Sequence, residues 1–193
     1  NNGLLIANDS SPGRTRILAA NCERMGSSNV IITNEDGSMF CRKILDKSDL
    51  KFDKVLVDAP CSGEGTIRSS YSASADWSMK LIESLSRKQK KLIESAFSIL
   101  NINGEMVYST CTHSPEENEE VVDYLLKKFD AKIVPINLPL KIRHGLTEWN
   151  NKKFDNSLSR SVRIYPQDND SEGFFLCKIK KLSENIKEGD EEK

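Results

Sequence analysis

Apolar and polar positions along this chain repeat with two different periods. Short apolar runs at 3–7 (GLLIA), 29–33 (NVIIT), 54–59 (KVLVDA), 105–109 and 132–136 have the length and β-branched content of buried strands. Helical spacing falls between them. Residues 12–25 are predicted as a helix, with Ser10 or Ser11 as cap, Pro12 in the first turn and Gly26 as the stop. Residues 84–100 place Leu85, Leu92, Ile93, Ala96, Ile99 and Leu100 on one face, and Asn103-Gly104 ends that stretch. Ser114-Pro115-Glu116-Glu117 reads as a helix start, with a helix expected to about Phe129. Residues 34–37 read as a turn, 41–53 and 137–170 as irregular, and 173–181 (GFFLCKIKK) as a last strand by its alternation. The charged stretch 183–193 lacks apolar anchors and is expected to be a disordered tail.

Strands that alternate with helices in this order predict an α/β fold with an open, mostly parallel sheet. In such sheets the functional loops leave the C-terminal ends of the strands. Asp9, Asp36, Asp58, Cys61 and Cys111 all fall at or just beyond predicted strand ends, so they are expected on one rim.

Composition narrows the partners only a little. The 193 residues are 37% hydrophobic and 30% charged, as expected for a soluble globular domain. With 28 Lys+Arg against 29 Asp+Glu the net charge is −1, so any nucleic-acid face must be a local patch. No apolar run is long enough to span a bilayer, and no signal peptide opens the sequence. The five cysteines (Cys22, Cys41, Cys61, Cys111, Cys177) lack CxxC spacing, which points away from a disulfide framework or zinc site and toward a reducing, cytoplasmic setting.

Two of those cysteines have a chemical context. In Asp58-Ala59-Pro60-Cys61-Ser62-Gly63-Glu64-Gly65 an apolar strand delivers a carboxylate and a thiol to one loop, whose glycines permit close approach to a ligand. In Tyr108-Ser109-Thr110-Cys111 a second strand ends in a thiol just before the predicted helix start, where a helix dipole would favour thiolate. A buried structural Cys is the commoner setting for one cysteine alone; two at equivalent strand ends shift the balance. Cys22, Cys41 and Cys177 have no such setting and read as core or surface residues.

DAPCSGEGTIR at 58–68 and YSTCTHSPEENEEVV at 108–122 resemble the two signature segments of the Sun-type (NSUN) family of RNA 5-methylcytosine methyltransferases. The resemblance extends to GLLIAND at 3–9, SSNVIITNEDG at 27–37 and GFFLCKIKK at 173–181. It implies a Rossmann-like sheet with a last antiparallel strand, S-adenosylmethionine as methyl donor, and tRNA or rRNA as substrate. It further implies that Cys111 is the nucleophile at cytosine C6 and that Cys61 assists proton removal and product release. Asp9 would bind the cofactor ribose and Asp36 would lie near the adenine. Asp58 would lie near the methionine end and the target base.

The chemistry accounts for such a set. Cytosine C5 is a poor carbon nucleophile; thiolate addition to C6 makes C5 enamine-like and able to take an electrophilic methyl group. The C5 proton must then leave before the thioether is expelled, and a carboxyl group kept neutral by burial would assist addition by donating to N3, work for which Asp58 is placed.

The family's first strand and glycine-rich cofactor loop would precede Gly3 and are not in this sequence. Residues 1–182 are therefore expected to be a catalytic domain lacking its N-terminal strand, with a gap at mid-sheet. The family's N-terminal RNA-binding region is absent from the sequence as well. Two other classes compete: a non-catalytic RNA-binding or assembly module on the same scaffold, which would need no thiol pair, and an exocyclic-amine methyltransferase, in which Asp-Ala-Pro-Cys would be out of place. Lys141, Arg143, Lys152, Lys153, Arg160 and Arg163 are the better RNA-contact candidates, ahead of the 87–91 run (RKQKK), which reads as a solvated helix face. Trp77 and Trp149 are candidates to stack a base or anchor a loop. His113 reads as a solvent-facing or capping residue, not a metal ligand.

Overall fold

The computed structural model describes residues 3–69 and 77–187, which divide into two compact units at Leu50/Lys51. In the first unit β1 (Leu5–Asn8) pairs in parallel with β2 (Val30–Thr33), and α1 (Pro12–Arg24) makes the crossover. The Ser11 hydroxyl caps α1 by accepting from the Arg14 amide, with Pro12 in the first turn, as the sequence predicts. Gly26 sits at φ 66°, the left-handed stop that glycine provides most cheaply.

The stretch from 41, expected to be irregular, is mostly helical: α2 spans Gly37–Lys47. Phe40, Cys41, Ile44 and Leu45 form an apolar stripe at i, i+1, i+4 and i+5, obscured in the sequence by the charges at Arg42, Lys43, Asp46 and Lys47. Asp36, expected in a turn, caps this helix.

The second unit carries the larger sheet. β3 (Phe52–Asp58) runs parallel to β4 (Leu100–Thr110), and β4 pairs antiparallel with β10 (Phe174–Ile186). The other edge of β10 pairs antiparallel with β9 (Val162–Ile164) and then with β5 (Phe129–Val134). β3, β4 and β5 thus share one direction and β10 opposes them, which is the expected last antiparallel strand. Among the described residues β1 and β2 form one hydrogen-bonded sheet, and β3, β4, β10, β9 and β5 belong to another.

Two helices, α3 (Met79–Ser98) and α4 (Glu119–Lys128), cover this sheet. Ile93, Phe97, Leu100, Tyr108, Leu125, Ile133, Phe175 and Ile179 are buried between the layers. Lys181, 2% exposed, donates to the Leu100 carbonyl at 3.0 Å and so satisfies backbone left over where α3 passes into β4.

Three boundaries differ from expectation. β4 begins at Leu100 because the chain passes from α3 into the strand at once; Asn103, at φ 65°, turns inside it. α4 begins at Glu119, since Pro115–Asn118 form turns whose polar groups are used to tie the preceding loop. β10 continues to Ile186, held against β5, so 183–186 are strand; 188–193 of the expected tail lie outside the described residues. The 137–170 stretch is ordered by short pieces: β6 (Arg143–His144) extends the sheet from β9, β7 (Glu148–Trp149) and β8 (Lys152–Lys153) form a hairpin, and α5 (Pro166–Asn169) precedes β10. No helix among the described residues is long and apolar enough to cross a membrane.

Candidate active site at the ends of two parallel strands

The parallel register of β3 and β4 sets Asp58 opposite Ser109, and the Ala59 amide donates to the Ser109 carbonyl at 2.9 Å. Both chains leave the sheet within two residues of that point, so the loops bearing Cys61 and Cys111 emerge side by side. The two sulfurs are 3.3 Å apart, at hydrogen-bond distance, and both cysteines are free thiols.

This contact divides the pair electrically. The bond shared with Cys111 holds Cys61 well above the ordinary thiol range, with burial acting in the same direction. The same bond lowers Cys111 to about 7 even though burial and the Asp58 and Glu117 carboxylates oppose it. The expected helix dipole is not the cause. α4 starts eight residues beyond Cys111, and dipole effects fade within a turn. Burial alone does the reverse: it raises Cys41 to about 11 and pushes Cys177 up as well, so those thiols stay protonated.

The 60–65 loop is fastened by a carboxylate that sequence reasoning passed over. Glu117, 0% exposed, accepts from the Ser62 amide at 3.0 Å, the Ser62 hydroxyl at 2.5 Å and Gln89 Nε2 at 2.9 Å. Gln89 Nε2 also donates to the Pro60 carbonyl at 2.8 Å. Burial raises the Glu117 pKa, although the Ser62 and Gln89 bonds pull it down. Ser62 Oγ also lies 2.8 Å from Thr112 Oγ1, which ties the Cys61 loop to the Cys111 loop. The only trace of Glu117 in the sequence was an acidic residue near a helix start, which is ordinary on a surface; nothing local marks it as buried.

A second fastening runs through glycines. The Gly65 amide donates to the Cys111 carbonyl at 2.9 Å, and the Gly173 amide donates to the Gly65 carbonyl at 2.8 Å. A Cβ on Gly65 would come within 2.4 Å of the Gly173 carbonyl oxygen, and one on Gly173 within 2.2 Å of the His113 ring. His113, expected to be solvent-facing or capping, instead is half-buried and stacks on Tyr165 with centroids 4.9 Å apart.

Asp58 accepts from Ser109 Oγ at 3.2 Å but is exposed, so it lacks the burial expected for a neutral carboxyl donor. In the first unit Asp9 Oδ1 accepts from the Ser11 amide at 2.7 Å and Arg14 Nε at 3.1 Å. Asp36 Oδ1 accepts from the Ser38 and Met39 amides, each at 3.0 Å. In both carboxylates one oxygen carries the structural bonds.

Among the basic candidates Arg163 is corrected. It is 3% exposed and pairs with fully buried Glu119 through bonds of 2.7 and 2.5 Å, so it does not face solvent. Its Nη1 donates to the His113 carbonyl at 2.9 Å, which ties β9 to the loop after Cys111. Lys141, Arg143, Lys152, Lys153 and Arg160 are exposed. Arg143 forms a two-bond pair with Asp168 at 2.7 and 3.0 Å, and Lys152 reaches Glu120 at 3.2 Å. In the 87–91 run Arg87, Lys88 and Lys91 are exposed, whereas Gln89 points inward. Trp77 and Trp149 are about half-exposed and bound through their indole N–H to Glu64 and Glu116 respectively.

Comparison with known proteins is consistent with this geometry. The family model described as 16S rRNA methyltransferase RsmB/F matches residues 1–180. The chain is 44% identical over 181 residues to a tRNA (cytosine(49)-C(5))-methyltransferase of Pyrococcus abyssi, covering 94% of this chain and 57% of that protein. It is 41% identical over 183 residues to ribosomal RNA small subunit methyltransferase F of Vibrio cholerae, covering 95% of this chain and 36% of that protein. A crystal structure of a methyltransferase homolog protein from Pyrococcus horikoshii superposes with a TM-score of 0.78 at 32% identity, covering 93% of this chain and 54% of that one. The Rossmann-like α/β class expected from the sequence is the class of that structure. The chain thus spans between about a third and about three-fifths of the length of these relatives.

Proposed function

The chain belongs to the RsmB/F family of 16S rRNA methyltransferases, and on that premise we propose that the intact protein transfers a methyl group from S-adenosylmethionine to C5 of a cytosine in tRNA or rRNA. The observation that carries the reading is the sulfur pair, 3.3 Å apart at the ends of adjacent parallel strands. A lone nucleophile needs no second thiol in contact with it. Addition followed by elimination gives each sulfur a task.

In this reading Cys111 is the attacking sulfur, because it is the member of the hydrogen-bonded pair that ionises near neutral pH. Cytosine reaches it drawn out of its stack. The thiolate adds to C6, the electron pair shifts to make C5 nucleophilic, and C5 takes the methyl group. Cys61, protonated while it shares its bond with Cys111, gives that proton to solvent once Cys111 is bound to C6; its thiolate then takes the C5 proton, and the C5–H electron pair re-forms the C5–C6 double bond and expels Cys111 as thiolate. Asp58 orients the base from the end of β3. S-adenosylmethionine, when bound, supplies the electrophilic methyl. The donor set fits it: Asp9 and Asp36 each keep one carboxylate oxygen outside their structural bonds, suited to a ribose hydroxyl and an adenine amine.

The test uses the intact protein with tRNA and rRNA. Cys111→Ala is expected to abolish both turnover and covalent RNA capture, whereas Cys61→Ala accumulates a protein–RNA adduct that survives denaturing electrophoresis. Full activity of Cys111→Ala overturns the role assignment. Failure of the wild-type protein to bind S-adenosylmethionine favours the RNA-binding scaffold instead.

A further inference from the structure

We propose that Glu117 is a positioning residue for the cysteine pair: with Gln89 it clamps the peptide planes on both sides of Cys61, and so sets the Cys61 thiol against Cys111. The consequence for turnover rests on the methyl-transfer reading above; the positioning itself does not.

The geometry is specific. The Ser62 amide belongs to the peptide plane that follows Cys61, and Glu117 Oε2 accepts from it at 3.0 Å. The Pro60 carbonyl belongs to the plane that precedes Cys61, and Gln89 Nε2 donates to it at 2.8 Å while donating to Glu117 Oε2 at 2.9 Å. With both flanking planes held, the Cys61 backbone has little freedom to rotate, and its side chain is aimed by the same carboxylate. The clamp is anchored to the partner strand: Tyr108 of β4, the strand that delivers Cys111, donates through its hydroxyl to the Glu117 carbonyl at 2.7 Å. Thr112, next to Cys111, completes the connection through Ser62 Oγ at 2.8 Å.

A carboxylate is a costly way to hold a loop. Glu117 is 0% exposed, and its bonds come from neutral donors, so its charge is buried without the compensation of a cation. The titratable groups that face it are Glu64 of the Cys61 loop, Tyr108 of β4 and Cys111, and each ionised neighbour opposes its charge. What the charge achieves is acceptance of three donors on two oxygens, which an amide in its place does not match. Gln89 Oε1 is buried without a partner among the described residues, so this side chain too is held at a cost for what its Nε2 reaches.

The sign of one measurement separates positioning from electrostatics. As a nearby negative charge Glu117 raises the Cys111 pKa. If charge were its whole effect, Glu117→Gln would lower the midpoint at which Cys111 becomes a thiolate. If it positions Cys61, the same substitution loosens the sulfur–sulfur contact and the midpoint rises toward the ordinary thiol value of about 8.5. The pH dependence of iodoacetamide alkylation at Cys111 reads this directly, in intact protein without RNA or methyl donor, with the site identified by mass spectrometry. The expected result is a raised midpoint and about tenfold slower alkylation at pH 7. An unchanged or lowered midpoint overturns the proposal. Where Glu117→Gln does not fold, Gln89→Leu removes the arm on the Pro60 carbonyl; a raised midpoint supports positioning, and wild-type titration overturns it. Because no methyl transfer is measured, a failure here is distinct from a failure of the proposed reaction, which the RNA-capture experiment tests.

Discussion

Replacing Glu119 by Gln should be among the most damaging single changes in the second unit. Arg163 and Glu119 have side-chain exposures of 4% and 0%, and two bonds of 2.7 and 2.5 Å join them. Each also serves the backbone: Arg163 donates to the His113 carbonyl at 2.9 Å, and Glu119 accepts from the Leu146 amide at 2.9 Å. Glu119→Gln keeps the shape but leaves the guanidinium buried beside a neutral amide, whose N–H₂ faces one of its own donors. Removing one partner of a buried pair costs about 3–5 kcal/mol. At roughly 2–4 °C per kcal/mol for a domain of this size, the melting transition should fall by about 6–20 °C. Differential scanning calorimetry of the intact protein measures it. The double variant Glu119→Leu/Arg163→Met, which removes both charges, should recover most of the loss, since apolar replacements of buried pairs are often neutral or better. A loss under about 1 kcal/mol in Glu119→Gln is the value expected of a solvent-exposed pair and would refute the reasoning.

Two further outcomes follow from the site. Removing the Cys61 thiol takes away the hydrogen bond that lowers Cys111, so in Cys61→Ala the alkylation midpoint of Cys111 should climb from about 7 to about 8.5 or above. The thiolate fraction at pH 7 then drops from about one half to about 3%, roughly fifteenfold; an unmoved midpoint means that Cys61 does not act on Cys111. Gly65→Ala places a methyl 2.4 Å from the Gly173 carbonyl oxygen, so the two backbone segments must part and both stability and covalent RNA capture should fall, whereas Gly13→Ala, whose methyl meets only Ser11 Oγ at an ordinary 3.9 Å, should leave capture at the wild-type level; equal behaviour of the two glycine variants in melting and capture would contradict the tight junction.

Much of the fold was legible because it rests on local signals. The apolar runs that became β1, β2 and β3 and the cap of α1 follow from the identity and spacing of neighbouring residues. The two Cys-bearing strand ends were legible for the same reason. α2 was missed because its apolar stripe is narrow and as many charged positions are interleaved with it. The start of α4 was misplaced because Ser114-Pro115-Glu116-Glu117 has the composition of a helix start, yet its groups are taken up by the turn and the Cys61 loop.

The sequence by itself determined which side chains could do chemistry and that each would leave the sheet at a strand end, since strand period and loop composition are local properties. Only the tertiary structure decided what surrounds them. An arginine reads alike in sequence whether it meets RNA or a buried glutamate, and Arg163 meets Glu119, 44 positions away. Glu117 looked like a surface acid until the fold brought Ser62, 55 positions away, and Gln89, 28 positions away, onto its two oxygens. The split between a protonated Cys61 and a readily ionised Cys111 arises in the same way. It depends on a sulfur contact made across two loops, and a hydrogen bond's strength is set by distance and burial, which no spacing along the chain specifies.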